Sequence, residues 1–390
     1  MSATHLLAQR AQDPPPPPWH RPTWAQIDLD AITANAVTLR RAAPGAALMA
    51  VVKADGYGHG AVPVARAALR GGARWLAVAL VEEGRQLRDA GVTAPILLLT
   101  EPPPRSIGAL LDARLTPAVY TPAFITALDA AARAAGGPPL DVHLKLDTGM
   151  RRVGVPEADW PAVFTLLRGC AALRTTGLWS HFACADDVGH PSIEPQSRAF
   201  AAGVAAARAH GLAPAVLHLC NSAGTLTRPG DQHDLVRCGI ALYGLDPGGG
   251  VSRGAGLRPA LRLTSRVSLV KRLVAGEAVS YGHRWAPATD TTVGTVPAGY
   301  ADGVTRRLGG LGAVVVGNRR RPMVGRVCMD QFLFDAGDDD IAVDDEVVLI
   351  GGQGDAAVTA DDWAAWLDTI NYEVVCGIGR RVPRVYVGGA

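Results

Sequence analysis

The feature of this chain that most constrains its fold is an alternation of short apolar segments with helix-like segments between residues 47 and 236. The apolar segments predict buried strands at residues 47–52, 75–80, 96–99, 116–119, 142–146, 176–180, 216–219 and 235–236. Helical patterns separate them at residues 62–69, 82–90, 106–111, 122–135, 157–167, 196–210 and 222–227. Eight short strands that alternate with helices are typical of a (β/α)8 barrel, a TIM-like α/β fold.

The pattern changes on either side of the barrel segment. Residues 1–20 form a leader with a run of prolines, which we expect to be disordered. A strand at residues 24–29 and a helix at residues 31–41 follow. Beyond residue 256, Val-rich segments predict a mainly antiparallel β domain, with strands at 266–274, 291–296, 312–316, 322–328, 345–349 and 384–387 and a helix at 360–369. The predicted domains are therefore 1–20, a barrel at 21–256 whose first strand joins the β domain, and a C-terminal domain at 257–390.

Composition excludes several classes of function. The formal net charge of the 390 residues is only +2, which gives no electrostatic reason to expect nucleic acid or membrane binding. The six cysteines are scattered and form no CxxC pair, so we expect neither a metal site nor a disulfide framework. No stretch has the length of a membrane span or of a signal-peptide core, which favours a cytoplasmic location.

Residues 51–60 (VVKADGYGHG) are the strongest candidate for chemistry. Lys53 directly follows a buried strand, and burial lowers the pKa of an ammonium until its neutral amine can form a Schiff base. The neighbouring glycines allow main-chain amides to approach a phosphate. The segment indicates a lysine that holds pyridoxal phosphate, although a bare apolar-Lys-Gly pattern also fits a solvated lysine.

Other polar residues also follow the predicted strands, at the edge where barrel enzymes carry their active sites. Asn221, Ser222 and Gly239 follow strands seven and eight, after which phosphate sites are common in this fold. The remaining candidates at the strand ends are Lys53, Lys145, Asp147, Arg152, His181, His218 and Arg237.

With these motifs in order, the chain closely resembles the alanine racemase family. Nine segments carry the resemblance: VVKADGYGHG (51–60), KLDTGMRRVG (145–154), SHFACADD (180–187), NSA (221–223), RCGIALYG (237–244), SYG (280–282), GYADG (299–303), GRVCMDQ (325–331) and INYEV (370–374). The resemblance implies a pyridoxal phosphate enzyme that interconverts L-alanine and D-alanine and supplies D-alanine for peptidoglycan. It also implies a homodimer with shared active sites.

The resemblance assigns the two proton-transfer bases to Lys53, which also holds the cofactor, and to Tyr281 of the neighbouring subunit. His181 and Arg237 are expected to tune the tyrosine, and Arg237 is expected to donate to the pyridine nitrogen of the cofactor. Arg152 and Met329 would bind the substrate carboxylate. Lys145 matches a lysine that is often carbamylated. The other implied positions are Tyr57, His181, Asn221, Ser222, Gly239, Ile240 and Tyr372 for the cofactor and Tyr300 and Asp330 for the substrate entrance.

The sequence departs from the family pattern at two positions whose effect it does not settle, and it leaves two alternative functions open. Arg151 stands where the family usually has glycine, which raises the question of whether Arg151 or Arg152 faces the substrate. Cys238 replaces a common proline before Gly239. A racemase of broader specificity, or a decarboxylase on the same architecture, is one alternative, and Arg237 argues against the decarboxylase. A non-catalytic pyridoxal phosphate carrier is another.

Overall fold

The computed structural model describes residues 21–389, so the predicted leader at residues 1–20 lies outside the described residues. The chain divides into two compact units. The barrel unit is Asp30–Pro259, and the β unit combines residues 21–29 with residues 260–389.

The barrel unit contains the eight parallel strands that the sequence predicts. They are β2 (Ala47–Val51), β3 (Trp75–Val78), β4 (Ile96–Leu98), β5 (Thr116–Val119), β6 (Leu140–Lys145), β7 (Leu173–Trp179), β8 (Val216–His218) and β9 (Leu235–Cys238). Consecutive strands from β2 to β8 pair with each other, and β9 pairs with β2. The seam between β8 and β9 is crossed by main-chain bonds from Asp234 N to Leu217 O (3.1 Å) and from Arg237 N to Cys220 O (3.0 Å). The barrel is therefore nearly closed.

Helices follow the barrel strands as the alternation predicts. They are α2 (Ala61–Arg70), α3 (Val81–Asp89), α4 (Ile107–Asp112), α5 (Pro122–Ala135), α6 (Trp160–Gly169), α7 (Ile193–Ala209) and α8 (Ser222–Thr227), and helix α1 (Leu29–Ala42) precedes β2. Helix α5 shows how residues at the start of a helix can specify where it begins. Pro122 occupies the first turn, where its missing N–H costs nothing, and the Thr121 hydroxyl accepts a bond from Phe124 N at 3.3 Å.

The β unit is built on one ten-stranded sheet. Its strands are β1 (Trp24–Asp28), β10 (Leu261–Arg266), β11 (Leu269–Leu273), β12 (Thr291–Val296), β13 (Ala313–Val316), β14 (Arg319–Val324), β15 (Phe332–Gly337), β16 (Glu346–Gln353), β17 (Ala356–Val358) and β18 (Arg384–Val387). The order is β11-β12-β15-β14-β13-β16-β10-β1-β18, and β17 pairs with β16. The β1–β18 pair is parallel and the other pairs are antiparallel. Helices α9 (Ala360–Leu367) and α10 (Asn371–Cys376) complete the unit.

Two predicted strands of the β unit are wrong in extent. The segment 266–274 is the end of β10 followed by β11, because the chain changes partners in between: Val267 N donates to Asp345 O at 2.9 Å and Ser268 N to Thr295 O at 2.8 Å. The segment 322–328 corresponds to β14, which ends before Gly325 because that glycine has a φ of 65°. The sequence analysis missed β15, β17 and α10.

Among residues 21–389, no helix is long and apolar enough to cross a membrane. The same residues contain no cluster of three or more His, Cys, Asp or Glu side chains that could hold a metal ion.

Candidate active site

Lys53 begins a left-handed turn at the carboxyl end of β2. Ala54, Asp55, Gly56 and Tyr57 have φ values of 53°, 51°, 61° and 53°. This conformation costs roughly 1–2 kcal/mol for each residue that has a Cβ, so the surrounding structure must hold the turn in place. The turn redirects the chain immediately after Lys53.

Three side chains hold this turn. The Glu83 carboxylate accepts from Ala54 N at 2.6 Å through one oxygen and from Ala79 N at 2.9 Å through the other, so it ties the turn to the loop after β3. Asp55 accepts from Ala61 N at 2.8 Å, which joins the turn to the start of α2. The Tyr243 hydroxyl donates to Val51 O at 3.0 Å. The main chain on both sides of Lys53 is therefore fixed.

Arg237 is a buried guanidinium on β9 whose hydrogen bonds are made to groups at the ends of neighbouring strands. Its Nη1 donates to His218 O at 3.0 Å and to His218 Nδ1 at 3.1 Å. Its Nη2 donates to Ser180 O at 2.8 Å and Leu219 O at 3.0 Å, and lies 3.1 Å from His181 Nδ1. Burial lowers the pKa of Arg237 to about 10, so the guanidinium stays charged at neutral pH.

The structure brings four cations together at this end of the barrel. Lys145, at the end of β6, is buried, and burial lowers its pKa to about 7, with further lowering by Arg237, Arg152 and Lys53. The Asp147 carboxylate raises the pKa of Lys145. Three cations and only one acid, Asp147, act on Lys145, so this cluster has an excess of positive charge. Such a cluster suits a strongly anionic ligand.

The contacts of the two neighbouring arginines differ. Arg151 has a φ of 58°, its main-chain N–H donates to Asp147 Oδ1 at 3.1 Å, and its guanidinium lies 3.8 Å from Asp147 Oδ2. Arg152 acts electrostatically on both Lys145 and His181. This arrangement favours Arg152 as the arginine that faces the cluster.

The loops after β8 and β9 supply hydroxyl and main-chain groups. The buried Ser222 hydroxyl accepts from Gly239 N at 3.0 Å, and Asn221 Oδ1 accepts from Gly224 N at 2.9 Å. A Cβ at Gly239 would overlap the hydroxyl of Tyr57, so only glycine lets these groups approach each other. Ile240 is buried immediately after this glycine. Tyr57, Ser222 and Gly239, three of the residues proposed for a phosphate, thus lie together.

Cys238, the departure before Gly239, is accommodated within the barrel. Its thiol donates to Thr225 Oγ1 at 3.4 Å, and burial raises its pKa to about 12. The thiol is therefore neutral at neutral pH.

The remaining candidate residues belong to the β unit. Tyr281 is 66% exposed and Met329 is 53% exposed within this chain. Main-chain bonds from Tyr300 N to Cys328 O and from Ala301 N to Met329 O, both 3.0 Å, join the segments that carry Tyr300 and Met329. Asp330 forms an ion pair of 2.7 Å with Arg381. Tyr372 lies in α10.

Sequence reasoning missed three residues of the barrel site. Trp179 stacks on His218 with ring centroids 5.4 Å apart, and its ring lies 4.4 Å from Lys145 Nζ. His143, two residues before Lys145 on β6, bonds to His218. Glu83 holds the turn after Lys53. The two-residue spacing of His143 and Lys145 is a signal that both side chains point to the same side of the strand.

The fold and the site together define a class: a barrel enzyme with a C-terminal β domain, whose lysine lies at the end of the first barrel strand among other cations. Residues 27–247 match the description "Alanine racemase, N-terminal domain", and residues 260–386 match "Alanine racemase, C-terminal domain". The chain belongs to the alanine racemase family.

Individual relatives agree with this assignment. An alanine racemase of Mycolicibacterium vanbaalenii is 50% identical over 94% of this chain and 94% of its own, and one of Frankia casuarinae is 48% identical over 93% and 96%. The crystal structure of alanine racemase from the D-cycloserine-producing Streptomyces lavendulae has a TM-score of 0.91 and 44% identity over 95% of this chain and 98% of its own. The Streptomyces coelicolor structure has the same TM-score and coverage at 45% identity.

We predict that Glu83→Ala loosens the turn after Lys53, whereas Glu82→Ala leaves it unchanged. Glu83 accepts main-chain bonds from both loops, and hydrogen bonds to charged groups are worth about 1.5–3 kcal/mol. Hydrogen exchange read by mass spectrometry on peptides that cover residues 53–60 will accelerate in Glu83→Ala only. Equal exchange in the two variants would contradict the assignment.

Proposed function

We propose that this chain interconverts L-alanine and D-alanine with pyridoxal phosphate as its cofactor. The observation that carries the proposal is the position of Lys53, at the end of β2 and among Lys145, Arg152 and Arg237, in a chain that matches both domains of the alanine racemase family. The D-alanine formed would serve peptidoglycan synthesis. The cytoplasmic location also stays a prediction.

The residues present fit this cofactor. Pyridoxal phosphate has an aldehyde, a phenolic oxygen and a phosphate, and when bound to an amino acid it withdraws electrons from the Cα atom. The amine of Lys53 suits the aldehyde. Arg152 suits the phenolic oxygen and the substrate carboxylate. Tyr57, Asn221, Ser222, Gly239, Ile240 and Tyr372 are the candidates for the phosphate.

Arg237 favours racemisation over decarboxylation. We propose that it donates to the pyridine nitrogen, and its pKa of about 10 keeps the guanidinium protonated at neutral pH. A permanent donor at this position leaves the ring nitrogen unprotonated, which weakens electron withdrawal from the substrate. A weaker withdrawal limits side reactions of the substrate carbanion, whereas a carboxylate partner would favour a protonated ring.

Two bases on opposite sides of the substrate Cα allow one to remove the proton from one face while the other returns a proton to the opposite face. We propose that Lys53 removes or returns the proton on the D side and that Tyr281 of a partner subunit does so on the L side. His181 suits the tuning of the tyrosine, because burial and nearby cations lower its pKa far enough to keep the imidazole neutral. The 66% exposure of Tyr281 within one chain supports a homodimer with shared sites.

The partner subunit would also supply substrate contacts. We propose that the main-chain amide of Met329 faces the substrate carboxylate and that Tyr300 and Asp330 line the entrance. The ion pair of Asp330 with Arg381 and the main-chain bonds between the Tyr300 and Met329 segments support a preformed arrangement in the β unit.

The first test combines a measurement of alanine racemisation with covalent trapping of the cofactor on the protein. The sequence has three lysines, Lys53, Lys145 and Lys271, so borohydride reduction and peptide mass mapping will identify the amine that holds the cofactor. We expect the reduced cofactor to be attached to Lys53 and the protein to racemise both alanine isomers. In Lys53→Ala we expect neither the attached cofactor nor racemisation. Lys271→Ala is the control, because Lys271 is exposed on β11.

Other outcomes of this test distinguish the remaining functions. Label on Lys53 without turnover of alanine would indicate a carrier, and comparable turnover of several amino acids would indicate a racemase of broader specificity. Label on Lys145 or Lys271 would contradict the assignment of the site.

We predict that Tyr281→Phe separates the two directions of proton transfer. In deuterated water, Cα exchange of L-alanine will fall by roughly 10²–10⁴-fold, the usual contribution of a positioned acid or base, while exchange of D-alanine falls much less. Proton NMR of the substrate measures both. Tyr386→Phe in β18 is the control, and an equal fall for both isomers would rule out the two-base assignment.

We propose that Lys145 reacts with carbon dioxide. Its pKa of about 7 leaves much of the amine neutral, and the neutral nitrogen attacks the carbon of CO2, releases a proton and forms a carbamate anion that can orient Arg152. With ¹³CO2, we expect a carbamate signal in carbon NMR that Lys145→Met removes and Lys271→Ala does not. The signal will decrease as the pH falls below about 7, because the amine becomes protonated. A signal that persists in Lys145→Met would contradict this assignment.

A further inference from the structure

We propose that His143 is a positioning residue that holds His218 in the tautomer that accepts a hydrogen bond from Arg237. The inference rests on the proposed function only in the role that it gives to Arg237. The hydrogen bonds themselves belong to the protein without its cofactor.

A chain of side-chain bonds runs through the interior of the barrel. Arg237 Nη1 lies 3.1 Å from His218 Nδ1, and His218 Nε2 lies 2.9 Å from His143 Nδ1. Both histidines are fully buried. His143 also packs between rings, 5.2 Å from Trp75 and 5.0 Å from His218. The two imidazoles therefore have little freedom to change partners.

The donors and acceptors of this chain fix where each proton lies. A guanidinium can only donate, so His218 Nδ1 must accept and carry no proton. A neutral His218 then has its proton on Nε2, which donates to His143 Nδ1. His143 in turn has its proton on Nε2, an atom that has no hydrogen-bond partner within the described part of the chain. We infer that Nδ1 is the polar atom through which His143 acts.

Electrostatics keeps both histidines neutral. Burial, with a contribution from Arg237, lowers the pKa of His143 to about 4, although Asp141 acts in the opposite direction. Burial and Arg237 also lower the pKa of His218 well below its usual value, with smaller contributions from His143 and His233. Because neither ring is protonated at neutral pH, the direction of the bonds stays the same.

The main chain beside His143 is shaped around its ring. A Cβ at Gly177 on the neighbouring strand β7 would overlap the imidazole. The pairing of β6 with β7 also shifts register between Val142 and His143, so that Val142 faces Thr175 and His143 faces Gly177. A glycine and an irregularity at the same place make room for an imidazole inside the barrel.

Loss of the acceptor on His143 would remove one of the two hydrogen bonds that favour the Nε2–H tautomer of His218, and only the bond from Arg237 would still favour it. The buried Nε2–H of His218 would then have no partner, whereas a proton on Nδ1 would point at Arg237 and remove the bond between them. The guanidinium would keep its main-chain acceptors but lose one side-chain partner. His143 thus acts on Arg237 through His218.

The test compares His143→Asn with His143→Leu. The Oδ1 atom of asparagine can take the place of the histidine Nδ1 as an acceptor, whereas leucine fills similar space without one. Nitrogen NMR of protein labelled with ¹⁵N-histidine reports which ring nitrogen of His218 is protonated. We expect Nε2 in the wild type and in His143→Asn, and the appearance of the Nδ1-protonated form in His143→Leu.

Activity gives a second readout. We expect kcat for alanine to fall roughly tenfold in His143→Leu, equivalent to about 1.4 kcal/mol, with recovery of most of the loss in His143→Asn. If His143→Leu does not fold, His143→Gln takes its place in the test. The glutamine amide lies where the histidine Nε2 was rather than where Nδ1 was, so we expect the same results as for His143→Leu.

The outcomes separate this inference from the proposed function. An unchanged His218 tautomer in both His143→Leu and His143→Gln would overturn the inference, whatever the activities. The expected tautomer change in a protein that does not racemise alanine would support the inference and contradict the proposed function.

Discussion

The barrel site depends on the hydrogen bonds of one buried guanidinium, that of Arg237. The ladder of parallel strands ends at β8 on one side and β9 on the other, so the seam between them has few main-chain bonds. Arg237 on β9 donates across that seam to the carbonyls of His218 and Leu219, and also to that of Ser180 beyond β7. A buried charge is tolerated only when it is hydrogen-bonded, and carbonyls at three strand ends accept from the Nη1 and Nη2 atoms of Arg237. The residue that we propose for the cofactor ring therefore also links the two strands at the seam.

The position of Lys53 depends on a different constraint, the left-handed turn that follows it. Three of the four residues in that turn have side chains, so the turn is intrinsically unfavourable. Glu83, Asp55 and Tyr243 stabilise it by hydrogen bonds to the main chain of the turn and its neighbours. Glu83 lies in the first turn of helix α3 and reaches back 29 residues to Ala54. The first two βα loops of the barrel are thus coupled through one carboxylate, which fixes where the lysine leaves the strand.

The sequence predicted those elements whose signals are local. The sequence predicts helix α5 with the bounds that the structure has, and the structure shows local signals at its start, the capping Thr121 and Pro122. The segment 266–274 could not be divided correctly, because the change of partner at Val267 depends on strands that come much later in the chain. In the site, a lysine after an apolar strand is visible in the sequence. The contact of His143 with His218 spans 75 residues and becomes visible only once the strands are arranged around the barrel.

Electrostatics explains why this end of the barrel is built for an anionic ligand. Lys53, Arg152 and Arg237 all disfavour a proton on Lys145, while Asp147 is the acid that favours one. Burial, together with this repulsion, lowers the pKa of Lys145 to about 7, so that one of the four cations can become neutral. A phosphate, a phenolic oxygen, a substrate carboxylate or a carbamate on Lys145 would each add negative charge to the cluster. A ligand that binds the folded state more tightly than the unfolded chain stabilises the fold, so the cations that repel one another here would stabilise the fold by binding an anion.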